Sequence, residues 1–367
     1  SCCPMPHDGS PTSAEAGPNA MRNTPAPTTA TLGPTATPES GAWHLLGLIA
    51  PLVTLTGIIA GQPAAGAILV LVLYPLVDLA LTRPAPSRAA RSDGQGLSLL
   101  LYIHVLLHTS VIVALCWRAA VDGNTAATWI AMLSVGINSG SSGIIVAHEL
   151  GHSSARSINH WLGRWNLLLT LYLHFTIEHN RHHHPAVATD TDPASAPRER
   201  NFWQQLAYTL PAQFKSAWVL AGCSGSQQRF NPVLRGLLLQ SILVIGIWQG
   251  LSGSVALAFV GQALIGIFML EYVNYIRHYG LRRERGAPVT AQHSWQTEAR
   301  WSRWTLLELT RHPAHHLHPG RHFWELQPCP DAPTLPAGYY ALFWPALIPP
   351  WWRRLMDPLL EPGNRPQ

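Results

Sequence analysis

Residues Thr128–His152, TWIAMLSVGINSGSSGIIVAHELGH, run apolar or small for twenty positions and then close on two histidines four apart. An α-helix needs about 20 such residues to cross a hydrocarbon core of roughly 30 Å. The reading of 128–147 is therefore a membrane span whose end delivers His148 and His152 to one membrane face. Residues i and i+4 share a side of a continuing helix, so the two imidazoles can grip one cation. The same five residues, His148-Glu-Leu-Gly-His152, also fit the HExxH pattern of zinc metalloproteases, where Glu149 would be the general base.

Five further stretches are long and apolar enough to span: 43–60, 64–82, 97–117, 233–250 and 254–275. With 128–147 they form three hairpins, which predicts an all-α polytopic membrane helix bundle of about six helices. Composition agrees, since 47% of the 367 residues are hydrophobic and only 12% charged, against about 25% charged in soluble proteins. The formal charge of +5 rests on arginine, with Lys215 the one lysine. These arginines lie between apolar spans without any nucleic-acid motif, so a nucleic-acid partner is not expected. Cys2, Cys3, Cys116, Cys223 and Cys329 form no CxxC pair, which argues against a disulfide framework or an iron-sulfur or zinc-thiolate site. Residues 1–42, rich in Pro, Thr, Ala and Ser, are expected to be disordered, and they lack the apolar core of a signal peptide.

The short hairpin connections are nearly free of charge, whereas Arg83, Arg88, Arg91 and most other arginines lie in the remaining segments. The positive-inside rule then places both termini and these segments in the cytoplasm, with Trp117, Trp129 and Trp248 at the opposite interface. Three more histidine clusters fall on that same side. They are His179-Asn-Arg-His-His183-His184, His278 within Asn274-Tyr-Ile-Arg-His-Tyr-Gly280, and His312-Pro-Ala-His315-His316. Neutral imidazole binds iron, copper, nickel or zinc well, and so many at one face suggest more than one ion. His104 and His108 share a face inside the third span, where interhelical hydrogen bonding is the first reading. Asp78 reads as structural, and 339–352 as an interfacial segment. A metalloprotease would leave seven clustered histidines idle. A metal transporter or sensor would place ionisable groups nearer the bilayer midplane.

HxxxH, HxxxHH and HxxHH in this order over hydrophobic hairpins resemble the membrane-bound non-haem diiron superfamily of acyl desaturases and hydroxylases. Further stretches narrow the resemblance to the alkane 1-monooxygenase and xylene monooxygenase branch: Glu178 to His184, Val187-Ala-Thr-Asp-Thr-Asp-Pro-Ala-Ser195, His293-Ser-Trp295, Leu335-Pro-Ala-Gly-Tyr339 and Met356-Asp-Pro358. The resemblance covers about 43–360 and implies two iron ions held by His148, His152, His179, His183, His184, His278, His312, His315 and His316. It implies O2 as co-substrate, a hydrophobic substrate drawn from the bilayer, and electrons from a separate rubredoxin and its reductase. It also implies a multi-pass protein of the bacterial inner membrane, with a fatty acyl desaturase or hydroxylase of the same superfamily as the nearest alternative. The chain departs from the family pattern at three places: His182 stands for the usual Gly, Arg277 for Glu and Ala314 for Asp. Arg277 is therefore a candidate catalytic residue that meets a polar end of the substrate or another carboxylate.

Overall fold

The computed structural model describes residues 39–82, 91, 94, 96–222 and 231–361. The expectation of disorder over 1–42 thus falls almost wholly outside the described residues. Among them the chain is helical without a named strand, apart from one isolated bridge between Gln296 and Thr334.

Five helices are long and apolar enough to cross a membrane: α1 (Gly41–Ile59), α3 (Leu97–Asp122), α4 (Ala126–Gly151), α8 (Pro232–Gly250) and α9 (Gly253–His278). The second expected span is the shorter apolar helix α2 (Ala65–Ala80). Three of the helices outrun the expected spans. α3 continues to Asp122 and α4 through Gly151, because nothing in either tail breaks the backbone ladder until Gly123 and the turn at 152–153. α9 carries on through Arg277 and His278 for the same reason, and a polar side chain does not stop a helix whose next turn is packed in protein. Between the hairpins lie α5 (Ile158–Leu169), α6 (175–186) and α7 (Phe202–Gly222), followed by the short helices α10 (Arg300–Thr305), α11 (His312–Leu317), α12 (Phe343–Leu347) and α13 (Pro349–Met356). Hydropathy does not mark α7, whose apolar residues are interleaved with Gln204, Gln205 and Gln213 and whose interior holds Pro211. The 339–352 segment forms a turn, α12 and the start of α13 rather than a span.

α4 and α9 form the centre, and small residues let them touch. A Cβ on Gly140 would sit 2.3 Å from the Cβ of Met269, one on Gly136 2.4 Å from that of Ile265, and one on Gly266 3.1 Å from that of Ser139. Without a hydrophobic drive between helices in lipid, this close van der Waals approach is what associates them. Gly140→Ala is expected to destabilise by about 1–3 kcal/mol through overpacking, read as a lower unfolding midpoint in nanodiscs. An unchanged midpoint would show that the helices part without cost.

Polar side chains fasten the bundle internally. His104 Nδ1 lies 2.8 Å from Ser142 Oγ and His108 Nε2 3.2 Å from Ser139 Oγ, so both intramembrane histidines of α3 bond to α4. Ser139 in turn donates to Gln262 of α9 at 2.6 Å. Asp78 at the end of α2 accepts from the backbone N–H and hydroxyl of Ser302 and from Ala341 N–H. Gly338 must be glycine, since a Cβ there would fall 2.1 Å from the Asp78 carboxylate.

A second polar knot ties the start of α1 to the segment before α11. Glu308 accepts from His44 at 2.9 Å and lies 3.3 Å from Arg311 and 3.6 Å from Arg303, with Glu298 bridging the two arginines. Leu307 and Glu308 both have positive φ, +53° and +56°, a conformation disfavoured for residues with a Cβ. That tight turn reverses the chain after α10 and aims α11 into the bundle end.

Candidate metal centre

Four elements converge on the end of the bundle where α4 and α9 stop. α4 brings His148 and, from its C-cap, His152; α6 brings His179, His183 and His184; α9 ends on His278; α11 carries His312, His315 and His316. Pro313 opens α11 at a position where its missing N–H is not needed.

The nine imidazoles form two groups, and within each the ring nitrogens lie within 4.8 Å of one another. His148, His152, His179, His184 and His315 make one; His183, His278, His312 and His316 make the other. Inside the first, His184 Nε2 is 3.0 Å from His179 Nε2 and 3.2 Å from His315 Nε2. Inside the second, His312 Nε2 is 3.1 Å from His278 Nε2 and 2.9 Å from His316 Nε2.

Local helix geometry makes this partition. The backbone of α6 is π-helical over His179–His183, so His179 and His184, five apart, face one group while His183 turns to the other. In α11, His312 and His316 are a full turn apart and share a group, and His315 points across. α6 and α11 each feed both groups, which holds them side by side: the rings of His184 and His316 have centroids 4.7 Å apart. Wide π-turns occur frequently at functional sites, and α4 carries another at Ser139–Ile144 just before His148.

The donor set fits a cation. The Nε2 atoms of His148, His152 and His183 are buried with no hydrogen-bond partner, and an unpaired buried polar atom is costly unless something else satisfies it. Desolvation holds His179, His315 and His316 well below the ordinary imidazole range, with His152 at about 4 and His184 at about 2. All are neutral at pH 7, as a metal ligand must be. In the metal-free protein these groups must bind protons on unfolding below about pH 6.5. Stability is therefore complete above pH 6.5 and is lost as pH falls from 6.5 towards 4. The unfolding midpoint of apoprotein should decline across that window, and a flat profile would show that the imidazoles are not buried and neutral.

Residues beyond the nine orient them. His183 Nδ1 is 3.0 Å from the Asp192 carboxylate, which also accepts from Ser195 Oγ and Ala194 N–H. Burial alone would raise the Asp192 pKa, but the charge of His183 and the bonds from His183 and Ser195 outweigh it and keep the group below its ordinary range. Ligating histidines commonly lean on such a carboxylate. Asp192 lies within the 187–195 stretch that carries the resemblance, and its acidic side chain there is the signal the sequence holds for it. Trp295 bonds through its backbone N–H to Arg277 O and through its indole to Tyr279 O, which pins the end of α9 around His278.

The three departures from the family pattern have separate settings. His182 stands outside both groups, its Nδ1 3.1 Å from Glu178 and 2.8 Å from Ser216 Oγ. The hydrogen bond with Glu178 raises its pKa. Ala314 is buried on α11. Arg277 is buried beside the second group, donating from Nη1 to His312 Nδ1 at 3.1 Å, from Nη2 to Asn274 Oδ1 at 2.6 Å and from Nε to Val273 O. Glu149 is not brought to the histidines. Its carboxylate accepts from Phe323 N–H at 3.0 Å and lies 3.6 Å from His322.

Beside the centre is a pocket bounded by Ile144, Ile145, Leu270, Val273 and Leu309, with His148 and Arg277 its polar side chains. A second pocket shares Gly140, Ile145 and Val273 with it and extends to Val70, Leu71 and Phe343.

Fold and site together define an integral-membrane helix bundle with a histidine-built metal-binding centre at one end. The family model for fatty acid desaturase matches residues 123–347. Alkane 1-monooxygenase 1 of Alcanivorax borkumensis is 32% identical over 78% of this chain and 74% of its own. Alkane 1-monooxygenase 1 of Pseudomonas aeruginosa is 31% identical over 86% and 88%. The hydroxylase component of xylene/toluene monooxygenase from Pseudomonas putida is 27% identical over 61% and 62%. The chain belongs to the fatty acid desaturase family, and within it is an alkane 1-monooxygenase-like oxidoreductase.

Proposed function

We propose that the protein is a diiron monooxygenase of the bacterial inner membrane that hydroxylates an unactivated C–H bond of an alkane or alkyl chain, at the terminal methyl, with O2 and two electrons. The overall change is RH + O2 + 2 e⁻ + 2 H⁺ → ROH + H2O. The observation that carries this reading is the pair of adjoining imidazole groups, five and four, opening at His148 onto an apolar cavity. Two groups suit two ions, and iron is among the metals that imidazole donors hold well. Two bound irons would supply the electrons that activate O2.

The protein's own part is to bind, orient and keep water out. Apolar walls from α4 and α9 receive a hydrocarbon, and Val70, Leu71 and Phe343 extend that apolar lining. Glu149, bonded to Phe323 N–H, offers no general base to the histidines, which speaks against peptide hydrolysis. On this reading the histidine end lies in the cytoplasm with both termini. Exposed arginines follow the ligands in sequence there, among them Arg156, Arg282, Arg285 and Arg321. An acidic rubredoxin, reduced by its own reductase, would be steered to such a face.

Iron-loaded protein in nanodiscs, supplied with rubredoxin, its reductase and ¹⁸O2, should convert members of a panel of alkanes and alkylbenzenes to alcohols carrying ¹⁸O. Iron that is reduced and consumes O2 while no panel member gains oxygen would overturn the assignment.

A further inference from the structure

Arg277 places a permanent positive charge where the fold gives it no anion. A guanidinium stays protonated in proteins, and this one is 2% exposed. Its three hydrogen bonds go to neutral acceptors: a carbonyl of its own helix, the Asn274 amide oxygen and His312 Nδ1. Among the described residues no carboxylate lies within ion-pair distance of it. Glu271 reaches it only through Asn274, across a weak 3.4 Å contact, while its own oxygens are held by Gln213 at 3.0 Å. Buried charges are ordinarily paired. A guanidinium has five N–H groups, so two are left over.

The setting of that charge is a cavity. Arg277 and His148 are the polar side chains in the wall of the inner cavity, whose remaining lining is aliphatic or glycine. Anything that enters meets one cation, one imidazole of the five-histidine group, and otherwise hydrocarbon. A simple alkane would leave the guanidinium as it is. A carboxylate would take up the unused N–H groups in the geometry that arginine matches best, and its apolar body would fill the space towards Val70 and Phe343.

We propose that Arg277 is a specificity-determining residue that selects hydrocarbon acids, binding the carboxylate so that neighbouring C–H bonds face His148. This rests on the monooxygenase reading, names the substrate class within it, and for that class moves the insertion from the terminal methyl to the carbons next to the carboxylate. The step is R–CH2–COO⁻ + O2 + 2 e⁻ + 2 H⁺ → R–CH(OH)–COO⁻ + H2O, or the same insertion a few carbons on, with electrons from the donor named above. Arg277 takes no part in electron or proton transfer; it holds the carboxylate.

The test uses the full chain in nanodiscs with decanoate, methyl decanoate and decane as probes. Equilibrium binding to metal-free protein is measured first, so that the readout does not depend on turnover. The parent should bind decanoate at least tenfold more tightly than the ester. Arg277→Gln should erase that preference, and Arg277→Lys, which keeps the charge but loses the fork, should restore part of it. A merely structural role would weaken all three probes together and leave the acid-to-ester ratio unmoved. An unmoved ratio in both variants, or equal binding of acid and ester by the parent, overturns the proposal. Products from the iron-loaded parent separate the two readings. Decane hydroxylation with no acid preference removes only the role of Arg277, whereas retained acid binding with no oxygenated product from any probe removes the monooxygenase assignment.

Discussion

On the proposed diiron reading, replacing His184 with alanine is expected to abolish hydroxylation and to remove iron from the five-histidine group. His184 is the hinge of the centre. Its Nε2 is within 3.2 Å of two partners in its own group, His179 and His315, and its ring packs 4.7 Å from His316 of the other. Losing a mere orienting partner of a ligand commonly costs 10- to 100-fold in metal affinity, so losing the ligand should cost on the order of 100-fold or more. Iron per chain, measured on purified protein, should fall from two to one or fewer, with turnover below detection. His182→Ala is the matched control. It alters a neighbour two positions away that stands outside both groups and should leave iron at two. Full iron content in His184→Ala would sink the division into five and four.

The second large effect is expected far from any ligand. Glu308→Ala should cost about 3–5 kcal/mol, because it leaves Arg303 and Arg311 buried with one of their carboxylates gone. Glu308 is 4% exposed and bonded to His44 of α1, and its pKa is held down despite burial by Arg311, the His44 bond and Arg303. Arg311 immediately precedes His312, so loosening it should also lower iron content in the four-histidine group. Glu298→Ala makes the informative comparison, since its partly exposed carboxylate can be replaced by water and should cost less. A melting curve for Glu308→Ala that overlays the parent's would show that the turn at 307–308 is held by packing alone.

These two expectations draw on different levels of the molecule. His184 could be read from the chain, as imidazoles at helical spacing beside an apolar span announce ligands whatever the fold. Glu308 could not. It is one of several acidic residues in a polar segment, and its importance comes from being folded against His44, 264 positions earlier. Asp78 lies between these cases: it was legible as structural from its place at the end of a span, while its partners Ser302 and Ala341 were not.

The spans, the face on which the histidines gather and the imidazole character of the site were determined by the sequence itself. Hydropathy over about 20 residues is a local property, and i, i+4 spacing sets direction along one helix without reference to any other. Only the tertiary structure decided that His183 and His184, adjacent in sequence, serve different groups. The π-helical turn of α6 and the crossing of α11 between the groups make that division. Only the structure placed Asp192 behind His183, turned Glu149 towards Phe323, and left Arg277 facing an apolar cavity. The physical reason is the same for all of these: periodicity tells which side of a helix a residue occupies, and packing alone tells what stands opposite.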